Sequence, residues 1–181
     1  MPLTQVQGGM ILASGQSIPK AALPTGSVLQ VVSTAKTDTF SASVARGAVS
    51  GDAITASITP TSSSSKILVL FNGSFGNSNT APIYILLYKG GSVVSGATGD
   101  SAGSRLRSSA ASFVNSTSSM ANINLNYLDS PATTSSTTYS IRIGHGSGET
   151  RTLYLNRSDS DGDFDYIART ASFLTLMEIA A

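Results

Sequence analysis

The chain has 181 residues, enough for one ordinary domain and too few for two joined by a linker. Only 12% of the residues are charged, so the surface is kept wet by hydroxyls instead: 32 Ser and 19 Thr, with 17 Gly besides. The net charge is +1 with basic residues scattered singly, and there is no Cys, which argues against nucleic acid, an anionic membrane, disulfides, thiol catalysis and thiolate zinc sites.

Residues 1–26 read as an extended arm, because Pro2, Gly8, Gly9, Gly15, Pro19, Pro24 and Gly26 are too closely spaced for a helix or a central strand. Its apolar residues, Met10, Ile11, Leu12, Ile18 and Leu23, are too many for a solvated linker. The arm is either a frayed terminus or an anchor that binds another protein. Its start lacks the basic opening and unbroken apolar stretch of a secretory signal, and no later segment approaches the ~18 apolar residues of a membrane span, so a soluble chain made in a cytoplasm is expected.

Residues 27–181 carry short β-branched and aromatic runs between turn residues, at the spacing of a sandwich or barrel. The high Ser, Thr and Gly content disfavours helix, so the class is all-β. Strands are predicted at 28–33, 39–44, 54–59, 67–75, 83–89, 105–114, 123–128, 139–143, 152–155 and 173–179. Ile123, Leu125 and Tyr127 alternate with Asn122, Asn124 and Asn126, and Tyr139, Ile141 and Ile143 with Ser140 and Arg142, which gives those strands one dry face. Residues 67–71 and 83–88 are instead nearly continuous apolar runs, expected where both faces of a strand are covered. They are core or a face between subunits, and Leu68, Leu70, Ile85 and Leu86 are the candidate interface residues.

Candidates for chemistry are few. The one histidine, His145, lies in Gly144-His145-Gly146-Ser147-Gly148, whose spacing fits neither a nucleophile elbow nor a phosphate-binding loop. It reads as a turn, and a metal-binding role would need a threefold axis to bring three imidazoles together. Asp159, Asp161, Asp163 and Asp165 alternate around Gly162 like the start of a calcium loop, but the glycine is misplaced and no closing Glu follows. That stretch is either a hydrated acidic hairpin or a divalent-cation site. No catalytic residue and no other cofactor is expected, and Tyr, Asn, Asp, Ser and Thr on loops suit sugar hydroxyls.

The stretch Leu23-Pro24-Thr25-Gly26-Ser27-Val28-Leu29-Gln30-Val31-Val32-Ser33-Thr34 resembles the opening of the C-terminal domain of tail-fibre-like virion proteins of marine and cyanobacterial phages. The resemblance continues in Ile58-Thr59-Pro60 with its serine run and Lys66-Ile67-Leu68-Val69, in Gly99-Asp100-Ser101-Ala102-Gly103-Ser104-Arg105, and in Leu128-Asp129-Ser130-Pro131-Ala132-Thr133-Thr134. It ends with Tyr154-Leu155-Asn156-Arg157-Ser158, Arg169-Thr170-Ala171-Ser172 and Met177-Glu178-Ile179, so it covers nearly everything from Leu23 onward. These motifs are not catalytic signatures. The resemblance implies a jelly-roll-like antiparallel sandwich, a homotrimer and display on a virion, after assembly in the host cytoplasm.

Longer fibres carry such a domain on a shaft, whereas here an arm of about 26 residues is expected in its place, able to span ~85 Å if fully extended. Two roles follow. One is a short tail fibre whose knob contacts the host surface, possible host polysaccharide included, while the arm docks on other virion proteins. The other is a capsid decoration or cement protein whose arms clamp neighbouring subunits. An enzyme, a nucleic-acid partner and membrane insertion are not expected.

Overall fold

A computed structural model describes residues 23–181. The arm residues Met10, Ile11, Leu12 and Ile18 lie outside the described residues, and Leu23 within them. Eleven strands follow in order: β1 (Val28–Lys36), β2 (Phe40–Val44), β3 (Ile54–Ile58), β4 (Lys66–Asn77), β5 (Ala81–Lys89), β6 (Ser92–Val93), β7 (Ala110–Val114), β8 (Ala121–Asp129), β9 (Thr137–Gly144), β10 (Arg151–Leu155) and β11 (Ser172–Ile179). A 3-10 turn, Ser95–Ala97, follows β6.

Every strand pairing is antiparallel. In one sheet β1, β11, β4 and β8 lie side by side; in the other the order is β3, β9, β5, β7. Successive strands cross between the sheets, β3 to β4 to β5 and β7 to β8 to β9, so the eight strands form a jelly roll of two Greek keys. β10 and β2 extend the first sheet, because β4 is long enough to pair β11 along its first half and β10 at its end.

The core is the inward half of each alternation. Ile67, Val69, Phe71 and Phe75 of β4, with Leu174 and Leu176 of β11, face Ile83, Ile85 and Leu87 of β5 and Tyr139, Ile141 and Ile143 of β9. Each such side chain contributes roughly 1.5–3 kcal/mol by leaving water.

Ile85 is fully buried between the sheets, which corrects its assignment to a subunit face: the inward positions of a two-sided strand belong to the domain's own core. Leu86 sits on the outer face with Tyr84 and Tyr88, yet is also buried, because the chain covers that face itself. Val49 packs there, the Arg142 guanidinium lies 4.0 Å from the Tyr88 ring centre, and the Tyr84 hydroxyl donates to the Ala48 carbonyl at 3.1 Å. Gly144 makes room for this layer, since a Cβ there would meet the Tyr84 ring at 2.5 Å.

Two polar clamps close the end where the chain enters. Asp129 of β8 accepts from Lys89 Nζ at 2.7 Å and from the Tyr139 hydroxyl at 2.6 Å, joining one sheet to the other. Burial, reinforced by that bond to Asp129, pushes the Tyr139 hydroxyl far above the usual phenol range. Glu178 of β11, fully buried, accepts from Thr61 N at 2.6 Å, Thr61 Oγ1 at 2.7 Å and Gln30 Nε2 at 2.6 Å, which fixes the loop between β3 and β4. The strand expected at 105–114 begins only at Ala110, because Arg107 turns back to donate to the Gly99 carbonyl and Leu106 packs over Gly146.

Candidate functional site

The fold has two chemically different ends. β1 runs antiparallel to β11 with Val28 opposite Ile179 and Lys36 opposite Ser172. Gly26 N donates to the Ala180 carbonyl at 2.8 Å, so the arm leaves the domain beside the C-terminal residues. Leu23 lines a shallow groove there with Leu29, Thr61, Ser65 and Ala181. At the far end, ~30 Å away along a nine-residue strand, gather the connections 37–39, 78–80, 115–120, 145–150 and 156–171. This loop crown is the candidate functional site.

The longest of these loops, 156–171, is rigidly footed. Asn156 is fully buried with φ of 68°, a left-handed conformation that asparagine tolerates better than most residues. Its Nδ2 donates to the carbonyls of Lys36 at 2.8 Å and Asp38 at 2.9 Å, and its Oδ1 accepts from Ser172 Oγ at 2.6 Å. Gly76 lets the loop lie close, for a Cβ there would meet the Arg157 carbonyl at 2.5 Å. Ser160 N donates to the Thr117 carbonyl at 2.9 Å, tying the loop to its neighbour.

Ionic contacts shape the loop itself. Asp161 pairs with Arg157 Nη1 at 2.8 Å and with Arg169, whose Nε is 2.7 Å away. Arg169 first, then Arg157, holds the Asp161 carboxyl below its usual range. The Arg157 guanidinium also lies 4.1 Å over the Tyr154 ring, whose hydroxyl donates to Asp159 at 2.6 Å. Burial and that bond to Asp159 raise the Tyr154 hydroxyl above its ordinary value.

Two of the four candidate metal ligands, Asp159 and Asp161, are thus turned to protein partners, while Asp163 and Asp165 point into solvent. Among the described residues, no three His, Cys, Asp or Glu side chains converge on a common point. The loop is an acidic, arginine-pinned loop rather than a preformed cation cage.

From this frame project Phe164 and Tyr166, 58% and 70% exposed, their rings stacked with centres 5.3 Å apart and planes 11° from parallel. Beside them Asp161, Gly162, Asp163, Phe164, Ile167 and Arg169 line an open pocket of about 290 Å³. Sequence reading passed over this pair, although two aromatics inside an acidic stretch were a visible signal.

His145 follows β9, as a turn residue should, but it is fully buried. Its Nε2 lies 2.8 Å from the Val44 carbonyl and its Nδ1 3.1 Å from the Ser147 carbonyl of the same chain. Both ring nitrogens face carbonyls of the same chain inside the domain, so His145 is not presented at a surface where a threefold axis could gather three imidazoles.

Leu68 and Leu70, unlike Ile85 and Leu86, lie half-buried on the outer face of β4. Leu68 stands in one cross-strand row with Val31, Met177 and Leu128, the end members 53% and 47% exposed. The next row carries Ser33, Thr175, Leu70 and Asn126, with the two hydroxyls bonded at 2.8 Å. An apolar band therefore crosses four strands in the half of the sheet near the arm.

These observations define an antiparallel jelly-roll sandwich with an end where residues 23–27 enter beside Ala180 and a loop crown at the other. No family profile and no curated protein sequence matches the chain. Among solved structures it is similar to one described as infectious bursal disease virus Gx strain, at TM-score 0.42 and 13% identity over 84% of this chain and 37% of that one. The VP2 subviral particle of infectious bursal disease virus is similar at TM-score 0.38 and 12% identity, over 84% of this chain and 38% of that one. The chain spans a little over a third of the length of each. A likeness of this size says nothing of what the chain binds.

Proposed function

We propose that this chain is a structural protein of a bacteriophage particle: a short trimeric tail fibre whose arm docks on other virion proteins and whose knob contacts the host surface. The observation that carries this reading is the polarity of the domain. The arm leaves at one end, beside Ala180, and the exposed Phe164–Tyr166 pair sits on a pinned loop at the other. A tether and a contact surface at opposite ends of a rigid sandwich are what a bridging protein needs. The motif resemblance to tail-fibre domains supports the setting.

The apolar band of Val31, Met177, Leu68 and Leu128 is the surface on which further copies pack, since leaving contiguous apolar side chains in water is costly and a subunit contact removes them. The domain acts by binding, and host surface polysaccharide is its target. Immunogold labelling of intact virions with an antibody against residues 28–181 tests the assignment. Gold at the tail tip is the expected result; gold spread over the head would replace the fibre with a capsid decoration protein.

A further inference from the structure

We infer that the exposed Phe164–Tyr166 stack, together with the pocket that Phe164 lines beside it, is a binding site for an uncharged glycan. The inference rests on the host-contact reading and deepens it. Phe164 leans on Gly162, where a Cβ would come within 2.7 Å of the ring, and Tyr166 stacks on Phe164. The rings are held in a fixed orientation before any ligand arrives, yet stay more than half exposed. Large apolar faces held in water are poised to lose that contact with water on binding, at reduced entropic cost because their loop is tied down through Asn156 and Asp161.

The chemistry around the stack selects the ligand. A pyranose presents an apolar C–H face to an aromatic ring and vicinal hydroxyls at its rim, which need acceptors. Asp163 and Asp165 supply exposed carboxylates outside the ion-pair network, since Arg157 and Arg169 are both engaged by Asp161. The loop carries four Asp against two Arg, so its field repels uronates, sulfates and phosphates. Charge and shape together point to a neutral sugar. A pocket of about 290 Å³ is at the small end of ligand sites and accommodates one or two sugar rings rather than a long chain.

The test is affinity electrophoresis of the full chain in gels containing dextran, mannan, galactan or β-glucan, with dextran sulfate as the anionic counterpart. At least one neutral polymer retards the protein, and dextran sulfate does not. Tyr166→Ala and Phe164→Ala each weaken that retardation tenfold or more, whereas Tyr166→Phe, which keeps the stacking face, retains most of it. Phe113→Ala, at a half-exposed aromatic on β7, leaves it unchanged.

Unchanged melting temperatures ensure that lost retardation is not lost folding. Retardation by dextran sulfate alone, by no neutral polymer, or undiminished in Tyr166→Ala overturns the proposal. Virions carrying Tyr166→Ala separate the two readings: gold still at the tail tip with glycan binding intact sinks the glycan site alone, and gold over the head sinks the fibre assignment.

Discussion

Replacing Glu178 by Gln isolates what one buried carboxylate does for the arm end of the domain. The carboxylate receives three donors within 2.7 Å: Thr61 N, Thr61 Oγ1 and Gln30 Nε2. An amide oxygen can keep the Thr61 pair, but its NH₂ then faces Gln30 Nε2, donor against donor. Losing one bond to a charged group costs about 2–3 kcal/mol, which for a domain of this length lowers the melting temperature by roughly 4–12 °C.

The pH dependence follows from the shift. Burial alone would raise the Glu178 pKa, but the donors of Thr61, Gln30 and Ser65 outweigh it and hold the folded value below the ordinary 4.5. A depressed folded pKa stabilises fully above the unfolded value, and the contribution fades as pH falls through the folded one. Calorimetry of both proteins from pH 3 to pH 8 therefore shows a constant gap above about pH 5 that closes under acid. Other carboxylates shifted in both proteins cancel in the difference. A gap below 1 kcal/mol at neutral pH, or one that does not change under acid, refutes the argument.

Leu68→Asp abolishes the proposed trimer and leaves a folded monomer, because its side chain lies on the outer face of β4; a trimer of the variant in sedimentation equilibrium would refute the band as an interface. Leu86→Asp instead destabilises the monomer by about 3 kcal/mol in urea unfolding, since it puts a carboxylate among Tyr84, Tyr88 and Val49 while its cationic neighbour Arg142 is already paired with Asp52. Asn156→Ala removes three buried hydrogen bonds at a positive φ and costs about 3–5 kcal/mol, with faster proteolysis of 157–171 as the second readout. Gly144→Ala costs about 1–3 kcal/mol by driving a methyl into the Tyr84 ring, which a thermal melt resolves.

Much of the fold was legible because alternation is a local signal. Ile123 to Tyr127 and Tyr139 to Ile143 declared one dry face each, and both face the core. β6 was not legible, for two residues carry no period. The apolar runs of β4 and β5 were legible as two-sided strands, but not what covers their second side. On β5 it is the chain's own Val49 and Arg142; on β4 the leucines remain half-open. Likewise the acidic stretch was visible, whereas its pairing with Arg157 and Arg169 depends on a loop closing through Asn156, a contact no sequence spacing reports.

The neighbouring positions of Gly26 and Ala180 bear on how this domain can be engineered. A peptide or reporter fused after Ala181 would emerge beside Gly26, and under the proposed docking of the arm it would compete with attachment. Cargo meant to point outward belongs instead in the exposed turn 78–80 at the far end, since 115–120 holds the 156–171 loop through Thr117.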